Sequence, residues 1–317
     1  MKAIATPMPY ESTHGLSYEQ WQNNRSQYIG GSEVAAVLGE SSYKTPLQVW
    51  KEKTGAKSTF EDSGIMEFGR AFEPHLAQKF MDMTNLKVQN DYKTRIHKHY
   101  DFLRANVDRV ILSSEQHPSP GILELKTTNS YSVKEWTEAF PIEWQYQIQY
   151  YLLITGYQYA YLQVYERDTC KYHKPILIER DETLINHIES EVVKWWYKHI
   201  IGGIQPEPQN NEDVLILYPS STDGKVARTS LGGYANWSEL RRIKVDIKEL
   251  EEVAGALEMK LKQEIGDGDE LWFNDLKLCT WKTVKQRRFD SKSFEKEDPE
   301  YYDSFIKPTS YRRFNLN

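Results

Sequence analysis

Asp108, Glu124 and Lys126 are the residues of this 317-residue chain whose types and spacing point most directly to chemistry. They fall in residues 101–129, DFLRANVDRVILSSEQHPSPGILELKTTN, which reads as two short strands joined by a Ser/Pro/Gly loop. Asp108 stands at the head of the first apolar run, Val110-Ile111-Leu112, and the second run, residues 121–128, carries Glu124-Leu125-Lys126. Side chains alternate faces along a strand, so Glu124 and Lys126 point one way while Leu123 and Leu125 point into a core. A carboxylate and an ammonium on one strand face, with a second carboxylate arriving from the neighbouring strand, make a site for a hard dication with a cation beside it. Mg²⁺ takes oxygen ligands, commonly one or two carboxylates with phosphate oxygens and water. That set suits metal-assisted hydrolysis of a phosphodiester. Taken alone, the three residues also fit a solvated surface pair and an unrelated aspartate, so the surrounding elements carry the decision.

Those elements follow from periodicity and capping. Residues 17–26, SYEQWQNNRS, read as a helix with Arg25 at its end. Tyr28-Ile29-Gly30-Gly31-Ser32 follows, then a short apolar helix over residues 33–38 closed by Gly39. The two glycines permit close backbone approach, and Ser32 is placed to cap that helix. A capped helix start is an anion site to which Arg25 would add a guanidinium; a plain Gly-Gly turn with a capping serine is the simpler reading. Thr45-Pro46-Leu47-Gln48 is a capping box with proline at the first helical position, opening a helix that ends near Gly55 with Trp50 facing the core. Residues 63–83 have helical apolar spacing (Phe68, Phe72, Leu76, Phe80), with Glu73 beside the stripe, where glutamate is ordinarily a surface residue.

Strands are expected over residues 87–99, 102–112 and 121–128, then a helix over residues 141–155. That helix lines up Trp144, Gln147, Ile148, Tyr151 and Leu152 on one face. An amide on an apolar face needs partners, so Gln147 is either a satisfied core glutamine or a group aimed into a site. Two further strands, residues 159–165 and 174–179, and an aromatic-rich helix over 183–201 complete this part.

Composition narrows the class. Forty Lys and Arg against forty-six Asp and Glu give a net charge of -6, which counts against a protein that coats nucleic acid non-specifically. It leaves room for an enzyme whose basic residues line a channel and whose acids hold metal. Mean hydropathy is -0.70, and no apolar run is long enough for a transmembrane helix. The opening MKAIATPMPYESTHG lacks the basic-then-apolar form of a signal peptide. Cys170 and Cys279 lie too far apart for zinc or iron–sulfur spacing and fit a reducing cytoplasm.

The C-terminal part has another character. Residues 205–213, rich in Pro, Asn and Glu, read as a linker, so a first domain of residues 1–210 and an accessory region of 211–317 are expected. Leu240, Ile243, Ile247, Leu250, Ala254, Leu257 and Leu261 form an a/d repeat over about three heptads, for which intramolecular packing is the expectation. Residues 271–284 read as a strand pair. Lys282, Lys285, Arg287 and Arg288, interleaved with Trp281 and Phe289, are candidate DNA contacts, or a solvated basic face. From residue 277 to the end ten Lys/Arg stand against six Asp/Glu, a local basic excess that favours the DNA reading slightly.

Four blocks together resemble the lambda-exonuclease/YqaJ branch of the PD-(D/E)xK nucleases: IGGSEVAAVLGESSYKTPLQVWKEKTG, FGRAFEP, Asp108 with Glu124-Leu125-Lys126, and Gln147-Ile148-Gln149-Tyr150-Tyr151. The resemblance covers about residues 20–200, with a weaker likeness beyond. It implies an α+β, restriction-endonuclease-like core, a mixed central sheet flanked by helices, followed by a helical and hairpin extension. It implies that Asp108, Glu124 and the Leu125 carbonyl ligate Mg²⁺, with Mn²⁺ as a substitute and two ions per site. Lys126 would orient or activate the attacking water, and Glu73 would complete the acidic cluster. Gln147 with Tyr151 matches the Gln-x-x-x-Tyr helix of the family, although Gln149 competes for the first role. Arg25 and Ser32 match the residues that hold a 5′-terminal phosphate, against the simpler turn reading. Arg109 departs from the glycine usual after the aspartate, and a shifted backbone contact is expected there.

The function so implied is Mg²⁺-dependent 5′-to-3′ digestion of linear double-stranded DNA, leaving 3′ strands for phage-type recombination by annealing. Partners implied are DNA ends, a single-strand annealing protein and further copies in a ring, a trimer first and a tetramer second. The setting would be the cytoplasm of a bacterial host, with phage or prophage origin and no membrane. Two other classes remain open: a structure-specific or restriction-type endonuclease on the same core, and a non-catalytic recombination scaffold.

Overall fold

The computed structural model describes residues 9–15, 17–55, 63–134 and 140–316. In chain order the elements are β1 (Tyr10–Ser12), α1 (Tyr18–Arg25), a 3₁₀ turn (Gly31–Glu33), α2 (Val34–Val37), α3 (Pro46–Lys53) and α4 (Gly64–Thr84). Then come β2 (Val88–Asn90), β3 (Lys93–Ile96), β4 (Arg104–Ala105), β5 (Arg109–Ile111), β6 (Gly121–Thr128), α5 (Ser130–Lys134) and α6 (Ile142–Thr155). The first unit continues through β7 (Tyr159–Glu166), β8 (Lys171–Tyr172), β9 (Ile176–Glu179), α7 (Glu182–Trp195), a π-helical turn (Trp196–Ile201) and α8 (Asn211–Leu217). Last are α9 (Leu231–Ile265), β10 (Glu270–Phe273), β11 (Leu276–Thr280), α10 (Ser291–Glu297) and α11 (Pro299–Ser304).

Local chemistry sets the entry points. Ser17 and Thr45 each close a capping box, with Gln20 and Gln48 reaching back to the cap N–H. Asn85 and Gly156, both in left-handed conformation, end α4 and α6.

The central sheet runs β2-β5-β6-β7-β8, with β9 also paired to β7. Strands β6 and β7 are parallel in the register Glu124↔Leu162, and the other pairs are antiparallel. Cores form on both faces. Ile122, Ala160, Leu162 and Val164 pack with α6 and α7, while Leu123, Leu125 and Tyr161 pack with Leu76 and Phe80 of α4. The mixed sheet with flanking helices expected from the resemblance is therefore present.

The expected strand over residues 87–99 is two strands in two sheets: β2 pairs with β5, and β3 joins β1 and β4 in a separate three-stranded sheet. The break falls at Asp91, whose carboxylate turns back onto Arg95 at 2.7 Å. The expected strand over 102–112 breaks as well, between β4 and β5. Asp108 sits where the chain enters the central sheet, so its side chain is free to turn toward β6.

Contacts divide the chain after Ile216, later than the expected boundary. The reading of residues 205–213 as a linker is corrected by Asp213, which is fully buried and accepts from Thr45 Oγ1 at 2.7 Å and Gln209 N at 2.8 Å. A buried carboxylate with two donors holds this segment to the first unit. In the second unit β10 and β11 form the expected hairpin around Asn274 in left-handed conformation. The expected packing of the heptad face of α9 within the chain is not what the structure has: every residue from 241 to 261 is exposed. Among the described residues no helix is long and apolar enough to cross a membrane.

Candidate active site

The site grows from one edge of β6. Antiparallel β5 pairs with it only as far as Arg109↔Leu123, so the backbone of Leu125 faces a gap. Asp108 fills part of it, its Oδ2 accepting from Leu125 N–H at 2.8 Å. Within a strand the N–H and C=O of one residue point to the same edge, so the Leu125 carbonyl faces the same gap.

Glu124 projects toward α6 and is 1% exposed. Its Oε1 accepts from Lys126 Nζ and from Gln147 Nε2, each at 2.7 Å. Its Oε2 is buried and has no partner among the described residues. Gln147 links three groups, since its Oε1 accepts from Lys126 at 2.9 Å and its Nε2 also reaches the Tyr151 hydroxyl at 3.0 Å. Glu73 arrives from α4, on the other face of the sheet, and meets Arg109 Nη1 at 3.5 Å. The same Nη1 donates to the Asp108 carbonyl at 2.6 Å.

Electrostatics mark a crowded acidic pocket. Burial first, then the charge of Asp108, push the Glu124 carboxyl up to about 8 against the pull of Lys126. The same two causes push Glu73 up to about 7 despite Arg109. Burial raises Asp108 too, offset by Lys126 and by the Leu125 N–H. Burial works against the Lys126 ammonium, but Glu124 and Asp108 outweigh it and raise its pKa.

Among the described residues no three His, Cys, Asp or Glu side chains are assembled to hold a metal by themselves. The reason lies in the pairings: Lys126 and Gln147 occupy Glu124 Oε1, and Arg109 draws Glu73 aside. What the pocket offers is two carboxylates and a carbonyl. This donor set fits Mg²⁺, which keeps several waters and needs only one or two carboxylates. The unpartnered Glu124 Oε2 is the observation that makes the fit specific, since a buried acceptor without a donor is costly.

The anion pocket expected at Ser32 takes a different form. Helix α2 has only four residues, and its approach is capped by Glu33, whose Oε2 accepts from Gly30 N–H at 2.9 Å. Ser32 does not cap; its hydroxyl, exposed, accepts from Arg25 Nη2 at 2.8 Å. Beneath them a buried Lys53 bonds Glu33 Oε1 at 2.8 Å and the Arg25 carbonyl at 2.6 Å. Burial alone would raise the pKa of Glu33, but Lys53 and Arg25 hold it below the ordinary value.

Gly31 ties this pocket to the first. A Cβ there would lie 2.4 Å from the Tyr151 ring, whose hydroxyl is held by Gln147. Gly31→Ala should therefore push Tyr151 and cost about 1–3 kcal/mol of stability, read by thermal or urea unfolding. A neutral result would mean the ring has room to move.

Asp108, Glu124, Lys126, Leu125, Gln147, Tyr151 and Glu73 are thus brought together. Gln149 is not: it donates to Glu179 O and accepts from Asp181 N on the far side of α6. Lys282, Lys285, Arg287 and Arg288 are exposed on the segment following β11 in the second unit, with Lys282 3.3 Å from Glu270. Sequence reasoning missed the roles of Arg109, Glu33 and Lys53. The sequence marks Arg109 as a departure from the family's glycine with a shifted backbone contact, and in the structure its guanidinium bridges the Asp108 carbonyl and Glu73.

Comparison with known proteins gives the chain its family. Residues 20–158 match the YqaJ-like viral recombinase domain. The uncharacterized protein YqaJ of Bacillus subtilis (strain 168) is 31% identical over 309 residues, covering 95% of this chain and 94% of that protein. The chain belongs to the YqaJ-like viral recombinase family. Its likeness to YqaJ extends through both units. Among solved structures, an alkaline exonuclease (LHK-Exo) from Laribacter hongkongensis is similar at 24% identity and a TM-score of 0.47, over 57% of this chain and 91% of that one. A phage-related exonuclease from Haemophilus somnus 129PT is similar at 13% identity and a TM-score of 0.42, over 58% of this chain and 100% of that one.

Proposed function

We propose that this chain is a Mg²⁺-dependent exonuclease that digests linear double-stranded DNA from 5′ ends, leaving 3′ single strands for recombination by annealing. The observation that carries this reading is the buried Glu124 Oε2, without a donor among the described residues and on the same strand face as Lys126. Membership of a viral recombinase family supports the recombination setting.

The residues divide the work. Asp108, Glu124 and the Leu125 carbonyl would hold Mg²⁺, which when bound lowers the pKa of water and offsets phosphate charge. Mn²⁺ would fit the same oxygens, and two ions per site are proposed. Lys126 remains an ammonium at neutral pH and donates to the attacking water or to the oxygen on which charge builds. Gln147 fixes the direction of Lys126 and Glu124 through the bonds described above, with Tyr151 behind it. Glu73 would complete the acidic cluster once the Arg109 guanidinium turns from it to a neighbouring phosphate.

Arg25 and Ser32 would hold a 5′-terminal phosphate, the guanidinium supplying charge and both groups supplying donors. Digestion from 5′-phosphorylated ends should exceed that from 5′-hydroxyl ends by roughly ten-fold or more, and Ser32→Ala should narrow the ratio. Equal rates from both ends in the unaltered protein would leave the pocket without this role. An annealing protein as partner and a ring of copies, a trimer before a tetramer, complete the proposal. The cytoplasm of a phage-carrying bacterial host is the proposed setting, and the exposed basic residues Lys282, Lys285, Arg287 and Arg288 are proposed DNA contacts.

The test is time-resolved digestion of end-labelled linear duplex with and without Mg²⁺, beside a covalently closed circle. Nucleotide release from the linear duplex alone, and only with metal, is expected. Cutting of the circle would favour an endonuclease, and no cutting of either would favour a scaffold.

A further inference from the structure

The long helix α9 presents an apolar seam that no described residue of its own unit covers. Ile243, Ile247, Leu250, Leu257 and Leu261 are 39–68% exposed, and only Ile265, at its end, is buried. We infer that this seam pairs with the α9 of a second copy of the chain, the two helices running antiparallel. The inference goes beyond the nuclease reading and does not rest on it.

Two features select a second copy in that direction. The first is the shape of the seam. With Leu240 at position a, the apolar residues alternate a and d through Leu261. An antiparallel pair sets a against d: Ile243 meets Leu261 of the second copy, Ile247 meets Leu257, and Leu250 meets Ala254. The small alanine then faces a leucine. In a parallel pair in register, Ala254 would face itself and leave a gap, which close packing disfavours.

The second is charge along the flanks. Positions e and g decide orientation in such pairs. The antiparallel arrangement sets Lys244 beside Glu258 of the second copy, and Asp246 beside Lys260. Symmetry repeats each contact, against one like-charged meeting of Glu251 with itself across the twofold axis. The parallel arrangement gains Glu239 with Lys244 but sets Asp246 against Glu251, each twice, so attraction and repulsion cancel. Asp246 and Glu258 are also held on their own helix, by Arg242 at 2.9 Å and Lys262 at 2.6 Å. A carboxylate has a second oxygen for the partner, so both contacts coexist.

An antiparallel pair is a twofold, self-complementary contact that closes on two copies. It therefore cannot be the contact that closes a three-membered ring; where protomers also form rings, it joins them in pairs. All the residues concerned are exposed, so replacing them leaves the folded core untouched.

The test uses full-length chains carrying Cys170→Ser and Cys279→Ser, one copy with Ile243→Cys and a differently tagged copy with Leu261→Cys. Under mild oxidation a disulfide between the two tagged copies is expected, with little self-linking of either. Self-linked products of each, or no product, would overturn the inference. Independently, in the native-cysteine chain, Lys244→Glu should weaken self-association about ten-fold in sedimentation equilibrium, the two symmetry-related contacts with Glu258, each of a few tenths of a kcal/mol, having turned from attraction to repulsion. Adding Glu258→Lys to the same chain should restore it. An unchanged affinity in the single variant, or no recovery in the double, would equally overturn the pairing.

Discussion

Asp108→Asn should lower digestion of linear duplex DNA by roughly a thousand-fold or more, because it removes one of the two carboxylates proposed to ligate a hard dication. The fold should survive. An asparagine oxygen can still accept the Leu125 N–H now made by Asp108 Oδ2 at 2.8 Å. The metal-free variant should be no less stable than the parent, since a neutral amide replaces a carboxyl that burial already disfavours as a charge. Glu124→Gln should behave alike, and Lys126→Ala should cost roughly a hundred- to a thousand-fold by removing the donor to developing charge. Initial rates on end-labelled duplex, with unfolding curves beside them, check both halves. Retained digestion in Asp108→Asn would remove the site.

The second large effect is a pH-dependent response to metal. Folded and metal-free, Glu124 keeps its proton to about 8 and Glu73 to about 7, against an ordinary value of 4.5. Through that window the folded state binds more protons than the unfolded one, so stability falls as pH rises. Lys126, whose pKa is raised, stays protonated throughout and does not alter the sign. A dication displaces these protons, so its affinity climbs with pH over the same window. Mg²⁺ at about a hundred times its Kd should raise the unfolding midpoint by roughly 5–10 °C at pH 8.5. Near pH 5.5 the shift should be small. A shift that is equal at both values, or one retained in Glu124→Gln, would contradict the assignment.

How far the sequence reached can be seen residue by residue. Capping boxes at Ser17 and Thr45 were legible because side-chain chemistry fixes them locally. Strand β6 was legible to its ends because turn residues bound a short run in which Ile122, Leu123 and Leu125 are followed by the β-favouring Thr127 and Thr128. The choice between Gln147 and Gln149 was not, because α6 is buried on all sides from Tyr146 to Thr155 and periodicity marks no single face. Only the tertiary partners separate them: Glu124 for one, Glu179 O and Asp181 N for the other.

Long-range pairings account for the remaining misses. Residues 87–99 look like one strand because propensity is local, yet β2 and β3 answer to different partners. The polar segment around Asp213 reads as a linker until Thr45, distant in sequence, supplies its donor. Glu33 looked like an ordinary residue of a short helix, and nothing local announces that Lys53 lies buried against it. The heptads of α9 were plain in the sequence, but which surface they seek depends on where the chain leaves them, and it leaves them exposed.

The most direct measurement is the anomalous difference density of a crystal grown with Mn²⁺. A peak is expected within coordination distance, about 2.0–2.3 Å, of oxygens from both Asp108 and Glu124, with Lys126 turned from the bound carboxylate toward the substrate side. Density elsewhere, or carboxylates that keep their present hydrogen bonds with no ion between them at saturating Mn²⁺, would contradict it.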